Sequence, residues 1–166
     1  MSSTLLKKLK KLAIDVSKTP ISRLKEEDNV CFIICNTYTS YRLSLGDGPL
    51  NDAITFANSI KSYGFKQYYL HNPHSKTFLN YLDAFLKNTK NHLVFYYVGH
   101  GTTVVDVNKD EDDGYDEAFV FEDSTLIDDI LLEHLIDKKN ANSKVTMVTD
   151  ACHSGSIWDI QSKTVN

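Results

Sequence analysis

Short apolar runs alternate with helical segments along most of this 166-residue chain, and this alternation restricts the fold more than any other feature. The continuous run VCFIIC at 30–35 is typical of a strand buried on both faces, and residues 50–60 carry apolar side chains at helical spacing. Further strands are predicted at 66–71, 92–101 and 144–151, and further helices at 77–86 and 127–137. Repeated strand and helix predict an α/β fold with a mainly parallel sheet covered on both faces.

One domain of this kind accounts for the chain, because its length and 42% hydrophobic content fit one ordinary core. Residues 1–28 are predicted to form an N-terminal leader with a basic amphipathic helix, and residues 29–166 the α/β domain. A basic amphipathic helix can lie on an anionic membrane. Here the lysines are expected to be solvated in a docking helix, and membrane contact is not expected.

Charge and cysteine content narrow the classes of function. The net charge of −4 argues against nucleic-acid binding, although the segment from Asp106 to Asp129 holds eleven acidic residues and one lysine. The chain has three cysteines and no apolar run near about 18 residues, and its N-terminus lacks a secretory signal. A reducing compartment, the cytoplasm, is therefore expected.

Two reactive side chains follow predicted strands: His100 within Gly-His-Gly and Cys152 within Ala-Cys-His. Ligands of parallel α/β sheets gather beyond the carboxyl ends of the strands, so these two residues are expected to converge there. His153 is adjacent to the cysteine in sequence. Neighbouring residues on a strand point to opposite sides, however, so His100 is the better candidate for the base.

A thiol beside an imidazole can transfer its proton, and the resulting thiolate attacks a carbonyl carbon. The glycines beside both residues allow a substrate backbone to approach, and the amides of Gly101 and Cys152 are candidate donors to an oxyanion. Taken singly, a cysteine at a strand end is usually a packing residue and Gly-His-Gly is usually a turn. The pair in this order and spacing indicates nucleophilic catalysis.

Several motifs in one order carry a family resemblance: FYYVGHG, DGYDEAFVFEDS, LIDDILLEHL and VTDACHSGSIWD. Together they resemble the large catalytic region of metacaspases, which are caspase-like cysteine peptidases, from about Val30 to Asp159. The resemblance implies a caspase-like three-layer α/β/α sandwich, with Cys152 as nucleophile and His100 as general base. Their separation of 52 residues is similar to the spacing of about 50 in caspases.

Asp52 and Asp150 match positions that lie in the primary specificity pocket of the family, which prefers arginine or lysine before the cleaved bond. Asp150 and Cys152 fall on the same side of an extended segment, so this carboxylate could pair with a substrate guanidinium. Without the resemblance, Asp52 has an ordinary alternative as a polar residue in the first turn of a helix, where a carboxylate is favourable.

The resemblance also implies a calcium site, because calcium-dependent metacaspases bind the ion through aspartates that correspond to Asp116, Asp128, Asp129 and Asp159. Hard oxygen ligands suit Ca²⁺. The alternative for Asp128 and Asp129 is an ordinary helix cap. Calcium is thus the expected activator, and no organic cofactor is expected.

The chain departs from the family pattern at Val98, where many members have serine, and at Pro49, where many have cysteine. It also stops before the small region that completes a metacaspase. That region is then a separate chain, or the sequence is a fragment, or the protein functions without it.

The expected function is a cysteine endopeptidase acting on protein or peptide substrates after arginine or lysine. The alternative is a non-catalytic or regulatory caspase-fold module that binds calcium or a partner.

Overall fold

A computed structural model of the chain describes residues 3–105, 115–153, 156–157 and 161–165. The helices are α1 (Ser3–Leu12), α2 (Gly48–Ile60), α3 (Ser75–Asn88) and α4 (Asp128–Lys138). The strands are β1 (Ile14–Asp15), β2 (Glu27–Cys35), β3 (Lys66–His71), β4 (Thr89–Val105), β5 (Tyr115–Val120), β6 (Thr125–Ile127), β7 (Lys144–His153), β8 (Ser156–Ile157) and β9 (Gln161–Val165). Short 3₁₀ turns lie at Val16–Lys18, Ile21–Arg23 and Lys61–Tyr63.

Five strands form a parallel sheet in the order β1, β3, β2, β4, β7. The central register places Phe32 beside Phe95, which is beside Met147. Antiparallel strands extend this sheet, because the end of β4 pairs with β5, and β5 pairs with β6. The outer edge of β7 pairs with β8 and β9 of the same chain. The predicted α/β class with a mainly parallel sheet is therefore confirmed.

Side chains that alternate along the central strands build one core on each face of the sheet. Phe32 and Ile34 of β2 belong to a core cluster that includes residues of α3 and α4. Cys31, Ile33 and Cys35 of the same strand belong to a second cluster, with residues of α1 and α2. Because β2 is buried on both faces, its sequence is a continuous apolar run. The result is the predicted three-layer sandwich of helices, sheet and helices.

The N-terminal segment packs against the domain that follows it. Leu9 and Ala13 are buried in the α2-side core, and β1 pairs in parallel with β3. The four lysines of α1 are exposed, as expected. The predicted division after residue 28 falls inside β2. Within the described part of the chain, none of the helices is both long and apolar enough to cross a membrane.

Candidate active site

The strand register places His100 and Cys152 side by side at the carboxyl end of the sheet. β4 and β7 are neighbouring parallel strands, in which His100 aligns with Cys152 and Gly101 with His153. Side chains from residue 152 onward lie outside the described part of the structure, so the backbone locates this pair. The Cα atoms of aligned residues on neighbouring strands lie about 5 Å apart, and their side chains leave the same face of the sheet. An imidazole and a thiol at such positions can come within reach for proton transfer.

A backbone carbonyl orients the imidazole of His100. The Nε2 atom lies 2.7 Å from the carbonyl oxygen of Leu43. Since a carbonyl oxygen only accepts hydrogen bonds, Nε2 carries the proton, and the lone pair of the neutral ring is then at Nδ1. An imidazole in this tautomer can accept a proton at Nδ1, as a general base must.

Leu43 lies in a loop, residues 36–47, that is tied to the rest of the domain. The amides of Leu43 and Ser44 donate to the carbonyl of Ser40 at 3.2 and 2.9 Å. Thr39 donates to the carboxylate of Glu122 through both its amide (2.7 Å) and its hydroxyl (3.0 Å). The sequence did not indicate a role for Leu43, because a main-chain carbonyl leaves no signature in residue type.

Gly99 leaves room for two tyrosine hydroxyls beside the histidine. A β carbon at Gly99 would lie 2.8 Å from the hydroxyl oxygens of both Tyr38 and Tyr97, a separation that real β carbons almost never show. Both hydroxyls contact the main chain of His100. The next glycine, Gly101, is a buried strand residue beside Phe119. Its predicted role in holding an oxyanion stays a prediction.

Asp52 and Asp150 line one cavity of about 350 Å³ between α2 and the ends of β4 and β7. Asp52 comes from the first turns of α2, and Asp150 lies two residues before Cys152 on β7. The other lining residues are Thr55, Phe56, Ser59, Tyr96 and Val148. Phe56 stacks on Tyr96 with ring centroids 4.2 Å apart, which forms an aromatic wall. Val98 and Pro49, which differ from the family pattern, are both buried and do not belong to this lining.

The cavity has an excess of negative charge. Partial burial and then the neighbouring charge of Asp150 raise the pKa of Asp52, although its surface is largely exposed. The Tyr96 hydroxyl points to Oδ2 of Asp150 at 3.4 Å. Burial, followed by the charges of Asp150 and Asp52, raises the pKa of that hydroxyl. The described residues that line the cavity include no lysine, arginine or histidine to neutralise these carboxylates. A cation entering the cavity would therefore be stabilised.

Three of the four aspartates predicted to bind calcium lie near the junction of β5, β6 and α4. Asp116 is 2% exposed on β5, and Asp128 and Asp129 form the first turn of α4. One carboxylate oxygen of Asp116 and one of Asp129 are buried from solvent. Within the described ranges, no three metal-binding side chains are grouped closely enough to hold an ion. Asp159 lies outside the described residues.

Comparison with known proteins identifies the family. The description "Metacaspase, peptidase C14 domain" matches residues 33–161. Metacaspase-1 of Yarrowia lipolytica is 40% identical over 72 residues, which cover 41% of this chain and 16% of that protein. Metacaspase-1 of Lodderomyces elongisporus is 28% identical over 135 residues, or 68% of this chain and 30% of that protein. The matched part of this chain thus spans less than a third of these relatives.

Solved structures agree with the fold. A protein from Geobacter sulfurreducens matches with a TM-score of 0.64 and 25% identity, over 78% of this chain and 52% of that one. The Drosophila initiator caspase Dronc matches with a TM-score of 0.50 and 16% identity, over 72% of this chain and 54% of its own. The second likeness shows a caspase-like fold. Because the family description covers well over half of its residues, the chain belongs to the metacaspase family of C14 peptidases.

Proposed function

We propose that the chain forms the large region of a cysteine endopeptidase in which Cys152 is the nucleophile and His100 the general base. One observation carries this proposal: His100 and Cys152 are aligned on neighbouring strands while Leu43 fixes the imidazole tautomer. The other two cysteines are unsuited to the role, because burial raises the thiol pKa of Cys31 and Cys35 far above the ordinary range.

The proposed reaction follows from these positions. The Cys152 thiol transfers its proton to Nδ1 of His100, and the thiolate adds to the carbonyl carbon of the peptide bond. The tetrahedral intermediate collapses to an acyl-enzyme when the imidazolium returns the proton to the leaving amine. Water, deprotonated by the same imidazole, then releases the acid product and restores the thiol. The amides of Gly101 and Cys152 are the proposed donors to the oxyanion.

We propose further that protein or peptide substrates carry arginine or lysine immediately before the cleaved bond. The support is the cavity lined by Asp52 and Asp150, because Asp150 lies two residues before the proposed nucleophile. Two carboxylates can accept the parallel N–H donors of a guanidinium, whereas a substrate carboxylate there would be repelled. The aromatic wall of Phe56 and Tyr96 can pack against the apolar stem of either basic side chain.

Calcium is proposed as the activator, with Asp116, Asp128, Asp129 and Asp159 as its ligands. In support, Asp116, Asp128 and Asp129 bring carboxylate oxygens, the ligands that Ca²⁺ prefers, to the junction of β5 and α4. Calcium binding would stabilise this junction, and β5 pairs with the end of β4, the strand that carries His100. The cytoplasm remains the proposed compartment, since Cys31 and Cys35 are both free thiols.

A calcium titration tests this activator. We expect calcium to raise peptidase activity and the unfolding temperature of the wild type, and to affect the Asp128→Ala, Asp129→Ala double variant much less. Asp137→Ala is the matched control, because Asp137 lies on the same helix with a side chain that is 74% exposed. An equal response of wild type and double variant would reject these ligands.

The alternative is a non-catalytic or regulatory caspase-fold module that binds calcium or a partner chain. The two functions share this fold and the alignment of His100 with Cys152, and they differ in whether the Cys152 thiol reacts. A separate small-region chain is a proposed partner in either case. Such a chain would have to pair beyond β9 or displace it, because β8 and β9 occupy the outer edge of β7.

A thiol-reactive peptide probe ending in arginine separates the two functions. For the peptidase, we expect the probe to label Cys152 and to spare Cys31 and Cys35, and labelling should fall in His100→Ala. A matched probe ending in aspartate should label weakly. Equal, slow labelling by both probes, with a small region supplied as well, would favour the non-catalytic module.

A further inference from the structure

The main chain of His100 extends beyond the end of its neighbouring strand β2. Pairing between β2 and β4 ends where Cys35 lies beside Val98, and the Asn36 amide then donates to the Val98 carbonyl at 2.9 Å. Residues two apart on a strand direct their main-chain polar groups to the same side. The amide and carbonyl of His100 therefore face a region where β2 no longer supplies partners.

Two buried tyrosines supply these partners instead. The His100 amide donates to the hydroxyl oxygen of Tyr38 at 2.7 Å, and the Tyr97 hydroxyl donates to the His100 carbonyl at 2.6 Å. Tyr38 is 2% exposed and Tyr97 is fully buried. Both hydroxyls also lie close to the carbonyl oxygen of Val120, at 2.7 Å from Tyr38 and 3.0 Å from Tyr97.

The hydrogen bonds are consistent with one proton on each hydroxyl. Tyr38 accepts from the His100 amide, so its own proton goes to Val120, while the proton of Tyr97 goes to the nearer carbonyl of His100. Chiefly through burial, the pKa of Tyr38 is raised to about 12 and that of Tyr97 lies well above its ordinary value. Both groups therefore stay protonated at neutral pH.

The backbone of Tyr38 is held in an unusual conformation to make this contact. Its φ angle is +64°, in the left-handed region that non-glycine residues seldom adopt. Its amide donates to the Asn72 side chain at 2.9 Å, which stabilises the turn. The ring then lies 4.9 Å from the His100 imidazole, tilted by 31°. Strained backbone of this kind is concentrated at functional sites.

We propose that Tyr38 and Tyr97 are positioning residues, whose hydroxyl groups replace the missing strand partner of His100 and hold its imidazole against the Leu43 carbonyl. The role rests on the proposed function, since it serves proton transfer between His100 and Cys152. It also explains Gly99, because any side chain there would displace both hydroxyls.

Single removal of each hydroxyl tests the proposal. Tyr38→Phe and Tyr97→Phe should each lower kcat about tenfold, with KM changed less than twofold, because each loses one buried hydrogen bond to the main chain of His100. Tyr81→Phe is the matched control. Its hydroxyl also belongs to a buried tyrosine and donates to a main-chain carbonyl, that of Thr19 at 2.7 Å, but it makes no contact with His100.

Two readouts separate positioning from a loss of stability, and neither requires peptide cleavage. Histidine ¹⁵N NMR should show the Nε2–H tautomer of His100 in the wild type and in Tyr81→Phe, and a mixture of tautomers in Tyr38→Phe. The pH profile for alkylation of Cys152 by chloroacetamide should shift to higher pH in Tyr38→Phe and Tyr97→Phe alone. An unchanged tautomer and profile in these two variants would overturn the positioning role. If the wild type cleaves no peptide even with a small region supplied, the proposed function fails, while these two readouts still decide the positioning role.

Discussion

The two parts of the candidate active site differ in whether the chain itself supplies partners for their polar and charged groups. Neutral groups contact His100: the Leu43 carbonyl accepts from its imidazole, and the hydroxyls of Tyr38 and Tyr97 bind its main chain. The cavity is instead lined by the carboxylates of Asp52 and Asp150, and partial burial followed by the charge of Asp150 raises the pKa of Asp52. The imidazole of His100 is held in place before substrate arrives, whereas the described lining of the cavity supplies no positive charge for its two carboxylates.

This difference fits a division of labour between catalysis and selection. Preorganised hydrogen bonds with neutral groups fix the geometry of the base. A pair of unneutralised carboxylates discriminates by charge, because the wrong substrate leaves them unpaired or repelled. Substitutions in either part can break this comparison.

The largest effect is expected at the dyad. Cys152→Ala should abolish peptidase activity, and His100→Ala should lower kcat by about 10²–10⁴-fold, because the base is lost. His153→Ala should leave most of the activity, since His153 aligns with Gly101 and not with the nucleophile. Steady-state kinetics on one arginine peptide measures all three. If His153→Ala were as damaging as His100→Ala in a folded protein, the base would be wrongly assigned.

Asp150→Asn is expected to lower kcat/KM on arginine peptides by about 2 kcal/mol or more, because a desolvated substrate cation would lose a charge-assisted hydrogen bond. Cleavage of matched peptides with arginine, lysine, glutamine or aspartate before the bond gives the measurement. Arginine should modestly exceed lysine. Asp137→Asn, an exposed substitution on α4, is the control. Preference for aspartate, or full activity of Asp150→Asn on arginine, would show that the cavity does not select the substrate.

Gly99→Ala is expected to reduce the free energy of unfolding by about 1–3 kcal/mol, since the new methyl group would overlap both tyrosine hydroxyls. Gly48→Ala is the matched control, because a β carbon at that first residue of α2 meets no atom within 4 Å. Urea denaturation of both variants gives the comparison. A Gly99→Ala protein as stable as Gly48→Ala would mean that the surroundings of His100 are less tightly packed than described.

The smallest effect concerns the stability of the cavity at different pH values. The raised pKa of Asp52 means that the folded state binds this proton more tightly than the unfolded state. The stability that the folded state gains by binding this proton is therefore fully present below the ordinary aspartate pKa. It is lost as pH rises through the raised pKa of Asp52. Asp52→Asn should increase Tm slightly at pH 7 and leave it unchanged at about pH 3, and the increase should be small because solvent screens this largely exposed carboxylate. A lower Tm at pH 7 would indicate that the Asp52 carboxylate is stabilised in the fold.

The sequence predicted the long central elements well, and it missed the short ones. Periodicity located β2, β3, β4, β7 and the four helices, because each presents enough apolar side chains to a core. β1 and β6 have two and three residues, too few for a period to appear. β5 is obscured because its sequence, YDEAFV, carries a buried aspartate at Asp116.

The candidate site was predictable only where side-chain chemistry marks it. Residue type and order identify His100 and Cys152, whereas Asp52 and Asp150 are identified through the resemblance to metacaspases. The structure brings each pair to neighbouring positions. The contributions of Leu43 and Tyr38 were missed. One acts through its main-chain carbonyl, and the other depends on a left-handed turn stabilised by a side chain 34 residues away.

Because β9 already pairs with β7, a separate strand that pairs with the same edge of β7 has to compete with a segment of the chain itself. Residues 161–165 belong to the same chain as the strand edge with which they pair, so dilution of the protein does not weaken this pairing. An incoming strand that uses the same edge binds only the fraction of molecules in which β9 has left, and its apparent dissociation constant rises in inverse proportion to that fraction. The same occupancy protects a long apolar strand from pairing with other copies of the chain.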